Sequence, residues 1–142
     1  LISETHLTKH SHVRFNGYVV YHTIHPDNTA RGGSAIIIKE CIVHTELAQY
    51  STQEIQATAV EIRTDRYSFT VAGLYSPPRH GIKKEQYLEY LNIMGTRFII
   101  GGDFNAKHIH WGSRLTTTKG RELLKAMLEV NAKPISTGKP TY

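Results

Sequence analysis

GGDFNAKHIHWGS, residues 101–113, follows the apolar run Phe98-Ile99-Ile100 and decides how the rest of the chain is read. RFIIGGDF (97–104) has the composition of a short strand buried on both faces. Two glycines then lead into Asp103, where bare backbone lets a ligand come close. Asn105 is two residues on, and in extended geometry it points the same way as Asp103. A carboxylate and an amide together suit a hard cation and a phosphate oxygen. The same letters also fit a plain Gly-Asp turn closed by an Asx hydrogen bond.

Working outward, strand patterns dominate the residues before this stretch. YVVYHTI (18–24) and SAIIIKE (34–40) are β-branched or aromatic runs separated by the turn-forming HPDNTARGG. VHTELAQY (43–50), IQATAVEIR (55–63) and YSFTVAGLY (67–75) follow, the last two joined by the tight turn TDR as a hairpin. Phe69, Val71, Gly73 and Tyr75 share one face of the last run, and Pro77-Pro78 stops it. KKEQYLEYLNIMG (83–95) predicts a helix with Tyr87, Leu88, Leu91 and Met94 on one side. KGRELLKAMLEVN (119–131) predicts a second, with Leu123, Leu124, Met127 and Leu128 on one side and an N-cap in the preceding threonines. KPISTGKPTY (133–142) reads as the entry to a further strand. Antiparallel strands followed by helix, strand and helix predict an α/β sandwich rather than a doubly wound sheet.

The chain has 142 residues, enough for one domain with a real core, so residues 1–142 are read as a single domain. Apolar residues make up 39% and charged residues 20%, a globular rather than a disordered balance. The single cysteine, Cys41, excludes an internal disulfide and fits a reducing, intracellular setting. No apolar run approaches the length of a membrane span, so no membrane partner is expected. The chain lacks an initiator Met and begins inside the pair Leu1-Ile2, which reads as a piece of a longer polypeptide.

Net charge is +5 and the pI is near 9.4, a surplus that favours a polyanion. Between Lys107 and Arg121 there are four Lys or Arg and no acid. Arg114, Lys119 and Arg121 are candidate contacts to a nucleic-acid backbone, with a solvated surface as the alternative. His108 and His110 form an H-x-H that would share a face in a strand; a phosphate-facing or surface role for His108 is favoured over zinc, because no cysteine lies nearby. Trp111 reads as a packing residue that closes the loop. Two further candidates lie at strand ends. Glu4, in SETHL (3–7), follows Leu1-Ile2 as Asp103 follows Ile99-Ile100; two such ends on one rim could share a metal, with a plain exposed strand-end glutamate as the alternative. Tyr75, in GLYSPP (73–78), is a phenol held rigidly before a di-proline.

In combination and in this order, SETHL, GLYSPP and GGDFNAKHIHWGS resemble the endonuclease/exonuclease/phosphatase superfamily. NAKHIHWGS, KGRELL and TGKPTY narrow the resemblance to the apurinic-type endonuclease domain of arthropod non-LTR retrotransposon polyproteins. The resemblance covers essentially the whole chain. It implies a DNase I-like fold: a four-layer, two-sheet β-sandwich flanked by helices, here incomplete at both termini. It implies that Glu4 is a metal ligand, that Tyr75 lies beside the scissile phosphate, and that Asp103 orients or deprotonates water or protonates the leaving oxygen. Asn105 would hold the water or a phosphate oxygen. The cofactor implied is Mg²⁺, with Mn²⁺ as a substitute, and the partners implied are DNA and a covalently linked reverse transcriptase. The reaction implied is hydrolysis of a DNA phosphodiester in the nucleus, giving a 3′-hydroxyl that primes reverse transcription.

This chain departs from the family pattern in two places. The Asn motif upstream of the glutamate and the late Asp and Ser-Asp-His motifs are not in these 142 residues, so the piece alone is expected to be inactive. Two alternatives follow: a catalytically incomplete retroelement remnant that binds DNA or metal at most, or a small-molecule phosphatase or phosphodiesterase of the same superfamily. No residue reads as a base code, so the target site is not specified by this stretch.

Overall fold

The computed structural model describes residues 1–136, so TGKPTY lies outside the described residues. Two compact units divide the chain: Leu1–Pro77 with Met94–Phe104, and Pro78–Ile93 with the residues from Asn105 onward.

The first unit holds all the strands, in two sheets. One has three strands in the order β1 (Ile2–Ser3), β3 (Ser34–Lys39), β2 (Tyr18–Thr23), all antiparallel. The other runs β4 (His44–Glu46), β6 (Gln56–Arg63), β7 (Ser68–Tyr75), β8 (Phe98–Asp103), with β5 (Tyr50–Ser51) also paired to β6. β6 and β7 form the expected hairpin, closed at Thr64, whose hydroxyl and amide both donate to the Tyr67 carbonyl. The stretch predicted as one strand over 43–50 is two short ones, β4 and β5, each paired with a different part of β6.

β3 packs on β6 and β7, so the sheets face one another. Ile36, Ile38 and Val60 form the centre of this core, with Val19, Tyr21, Ile62 and Val71 around them. Beside these apolar residues runs a buried polar seam. The Thr23 hydroxyl donates to the Ala57 carbonyl (2.9 Å), and the Thr58 hydroxyl shares its one proton between Thr23 Oγ1 (2.9 Å) and the Ser34 carbonyl (3.0 Å). Thr23, Ser34 and Thr58 are fully buried, and such groups are tolerated inside only when hydrogen-bonded.

β8 pairs in parallel with β7, but it is not buried on both faces. It ends the strand order among the described residues, and Ile99 is 50% exposed. The apolar composition of Phe98-Ile99-Ile100 therefore marks a strand with one covered face.

The second unit holds α1 (Lys84–Ile93) and α2 (Thr118–Glu129). Thr117 caps α2, its hydroxyl accepting from the Gly120 amide (3.1 Å), as the threonine run predicts. α1 is capped from its neighbour: the Lys84 amide donates to Glu122 Oε2 (3.1 Å), and Lys84 Nζ pairs with Glu129 (3.0 Å). The Lys125 ammonium, and then the Lys84 amide, hold the Glu122 carboxyl below its usual range. The buried residues of α1 are Tyr87, Tyr90 and Leu91, and those of α2 include Leu123 and Ala126; Leu128, predicted to be on the packed side, is exposed. No helix among the described residues is long and apolar enough to cross a membrane.

Candidate active site

Three of the four principal candidate residues belong to the first unit, and they meet at one end of its sheets. β1 delivers Glu4 immediately after its two residues, β7 ends in Tyr75, and β8 ends in Asp103, opposite Tyr75 in the parallel register. The Tyr75 hydroxyl donates to Glu4 Oε1 at 3.2 Å. Burial raises the Tyr75 pKa, with the negative charges of Glu4 and then Asp103 adding to it, so the phenol keeps its proton at neutral pH. Tyr75 is itself only 7% exposed, whereas Glu4 and Asp103 are open to solvent. The result is a buried phenol bonded to one carboxylate, with a second carboxylate residue opposite it in the sheet register, on an accessible rim.

The chain holds Glu4 there at a cost in backbone strain. Glu4 (φ 56°) and His6 (φ 53°) adopt the left-handed region that side chains other than glycine disfavour. The segment is fastened on both sides. The Thr5 amide donates to Gly33 O (3.3 Å) and the His6 amide to Gly32 O (2.9 Å), while His6 Nδ1 lies 3.0 Å from Ala30 O. Gly32 must be glycine, since a β-carbon there would come within 2.6 Å of Gln56 Oε1 and 3.1 Å of the Tyr75 ring. Gln56 is fully buried; its Nε2 donates to Thr52 O (2.6 Å) and its Oε1 accepts from the Gly33 amide (3.4 Å). Gln56 and Gly32 thus shape the seat of the Glu4 segment, and Tyr75 forms one wall of it.

The second glycine of the opening stretch has a different role from the one its position suggests. A β-carbon on Gly102 would stand 1.9 Å from the Leu74 carbonyl oxygen. The close approach is to the neighbouring strand rather than to a ligand. A β-carbon on Gly101 would meet only the end of the half-exposed Leu1 side chain (2.8 Å), which can move aside.

The remaining candidates lie in the second unit. β8 stops at Asp103, and Asn105 turns left-handed (φ 47°), so the extended alternation from Asp103 to Asn105 does not hold. His108 and His110 are not in a strand either. His108 caps a short 3₁₀ turn over Ile109–Trp111, with its Nδ1 accepting from the His110 amide (3.0 Å). Trp111 closes this loop by donating from Nε1 to the Ala106 carbonyl (2.9 Å) and packing 5.2 Å from the His108 ring. Arg114 and Arg121 are exposed. Lys119 is not: it is only 6% exposed within the first turn of α2, so it is neither a solvated surface lysine nor an open contact for a polyanion.

The donor set of the first unit fits a hard divalent cation. Glu4 and Asp103 offer carboxylate oxygens, and Mg²⁺ needs only one or two such ligands because it keeps several waters. Among the described residues no three His, Cys, Asp or Glu side chains converge into a closed cage.

Comparison with known proteins adds to this geometry. The chain matches the family described as the endonuclease/exonuclease/phosphatase family over residues 1–141. It is 34% identical over 142 residues to the RNA-directed DNA polymerase from mobile element jockey of Drosophila melanogaster, a match to 100% of this chain and 16% of that protein. The jockey polymerase of Drosophila funebris is 30% identical, again over 100% of this chain and 16% of the relative. The chain therefore spans 16% of the length of these curated relatives. Among solved structures, the endonuclease domain of TRAS1, a telomere-specific non-LTR retrotransposon, superimposes with a TM-score of 0.64 at 29% identity. The match covers 82% of this chain and 54% of that one.

Proposed function

The chain belongs to the endonuclease/exonuclease/phosphatase family, and from that premise we propose that it is the DNA-nicking endonuclease module of a non-LTR retroelement polyprotein. The observation that carries the proposal is the convergence of Glu4, Tyr75 and Asp103 at one sheet end, with the Tyr75 hydroxyl on Glu4. The proposed partners are DNA and a reverse transcriptase linked in the same polypeptide, and the proposed place of action is the nucleus. The nick would leave a 3′-hydroxyl from which that polymerase extends.

In this reading Glu4 holds Mg²⁺, with Mn²⁺ able to substitute. The bound cation would neutralise phosphate charge and polarise the phosphorus–oxygen bonds under attack. With Glu4 engaged on the cation, Tyr75 would turn its one O–H from Glu4 to a non-bridging phosphate oxygen, a task suited to a phenol whose proton is firmly held. Asp103, exposed at the end of β8, accepts a proton from the attacking water. For Asn105, which opens the second unit, the family resemblance alone supplies the proposed role of holding water or a phosphate oxygen. His108, Arg114 and Arg121 are proposed as contacts of the second unit to the DNA backbone.

The test is conversion of supercoiled plasmid to relaxed circle by the polypeptide that carries this chain. Mg²⁺-dependent nicking is expected, with Asp103→Ala reducing it at least about 10²-fold, the ordinary contribution of a general acid or base. Inositol phosphates are assayed in parallel. Nicking that survives Asp103→Ala, or phosphate release from the small substrates without nicking, would overturn the proposal.

A further inference from the structure

Ser3 sits where the three candidate residues are joined, and the nuclease chemistry proposed above gives it no part. Its hydroxyl donates to the Leu74 carbonyl (3.0 Å) and accepts from the Asp103 amide (3.0 Å). These two groups already face one another. With Tyr75 opposite Asp103 and the Ser76 amide donating to the Asp103 carbonyl (2.9 Å), a parallel ladder directs the Asp103 N–H at Leu74 O. The Ser3 hydroxyl contacts both members of that rung. It reaches them from the other sheet, since β1 pairs with β3.

The residues involved map onto the site one by one. Ser3 directly precedes Glu4, Leu74 directly precedes Tyr75, and the third partner is Asp103 itself. β1 is only two residues long, so it has little sheet pairing of its own to hold the strained Glu4 in place. We propose that Ser3 is a positioning residue: its hydroxyl sets the spacing between the Glu4 carboxylate of one sheet and the Tyr75–Asp103 pair of the other, and so sets cation affinity at the site. The inference rests on the site assignment made above.

The test compares the 142-residue chain with its Ser3→Ala, Ser3→Thr and Glu4→Gln variants. Mn²⁺ affinity is measured by titration calorimetry, exchange of the Asp103 amide by deuterium uptake, and melting by circular dichroism. Ser3→Ala is expected to weaken Mn²⁺ binding about 10- to 100-fold, the usual effect of losing a group that orients a metal ligand. Faster exchange at Asp103 and a melting curve close to the parent's should accompany it. Threonine keeps the hydroxyl, so Ser3→Thr should restore both affinity and exchange protection. Parental Mn²⁺ affinity in Ser3→Ala, alongside weakened binding in Glu4→Gln, would overturn the positioning role and leave the site assignment standing. Parental affinity in Glu4→Gln would overturn the site assignment and the proposal together.

Discussion

A β-carbon at position 102 has nowhere to go: the Leu74 carbonyl oxygen, carbon and nitrogen all lie within 3 Å of where it would stand. Backbone atoms cannot rotate aside as a side chain can. Gly102→Ala is therefore expected to lower stability by on the order of 3 kcal/mol, measured by urea denaturation; a loss under about 1 kcal/mol would show that β7 and β8 can separate locally at little cost. At this scale the sequence was informative where chemistry is concentrated in short motifs. Glu4, Tyr75 and Asp103 each stand in one, and each stands at a strand end. Ser3 and Gln56 were not legible, because what matters is their partners. The two hydrogen bonds of Ser3 span 71 and 100 residues of chain, and no local pattern reports them. The expected alternation from Asp103 to Asn105 failed for a local reason, the left-handed backbone at Asn105.

Among the elements, α1 contains an anomaly that bears on stability. The Tyr87 hydroxyl is buried with no hydrogen-bond partner among the described residues, and burial pushes its pKa far up. An unpaired buried hydroxyl costs about 1–3 kcal/mol. Tyr87→Phe should therefore be neutral or stabilising by about 1 kcal/mol in chemical denaturation. A marked loss would mean that the hydroxyl is satisfied in solution. The helices were legible from their apolar spacing, and the Thr117 cap from the threonines before α2. β8 was misjudged because composition cannot distinguish a strand with two covered faces from one with a single covered face. Strand order makes that distinction, and strand order is a property of the sheet. The split of residues 43–50 into β4 and β5 has the same origin, since both lean on the longer β6.

On the scale of the molecule, charge makes two predictions. Asp27 lies in the β2–β3 loop, where the Thr29 hydroxyl and amide, His25 and Arg31 hold its carboxyl well below the usual carboxylate range. A depressed carboxylate contributes stability above its unfolded pKa of about 3.9 and loses it as pH falls through the folded value. The melting gap between the parent and Asp27→Asn should be constant from neutral pH to about pH 4 and narrow below that. A gap that widens in acid would refute the assignment. The second prediction concerns DNA. Neutralising Arg114 and Arg121 should reduce the slope of log affinity against log salt by about 0.9 for each phosphate that either arginine had neutralised; an unchanged slope would assign both side chains to solvent. The α/β class and the two-sheet plan were legible in the order of elements. The division into two compact units was not, because it depends on where Pro78 and Asn105 send the chain.

The hydroxyl seam between the sheets has one more consequence. Greasy surfaces can slide over one another with little change in energy, but the Thr23–Thr58–Ser34 bonds have direction and must be broken before the sheets can shift. The seam works as a dovetail. Glu4 and Asp103 ride on opposite halves of that joint, so the interior seam supports the alignment that Ser3 sets at the rim. Warming should not blur the site by degrees: the two acids are expected to stay in register until the joint gives way, so that the geometry of the site and the fold are lost as one event.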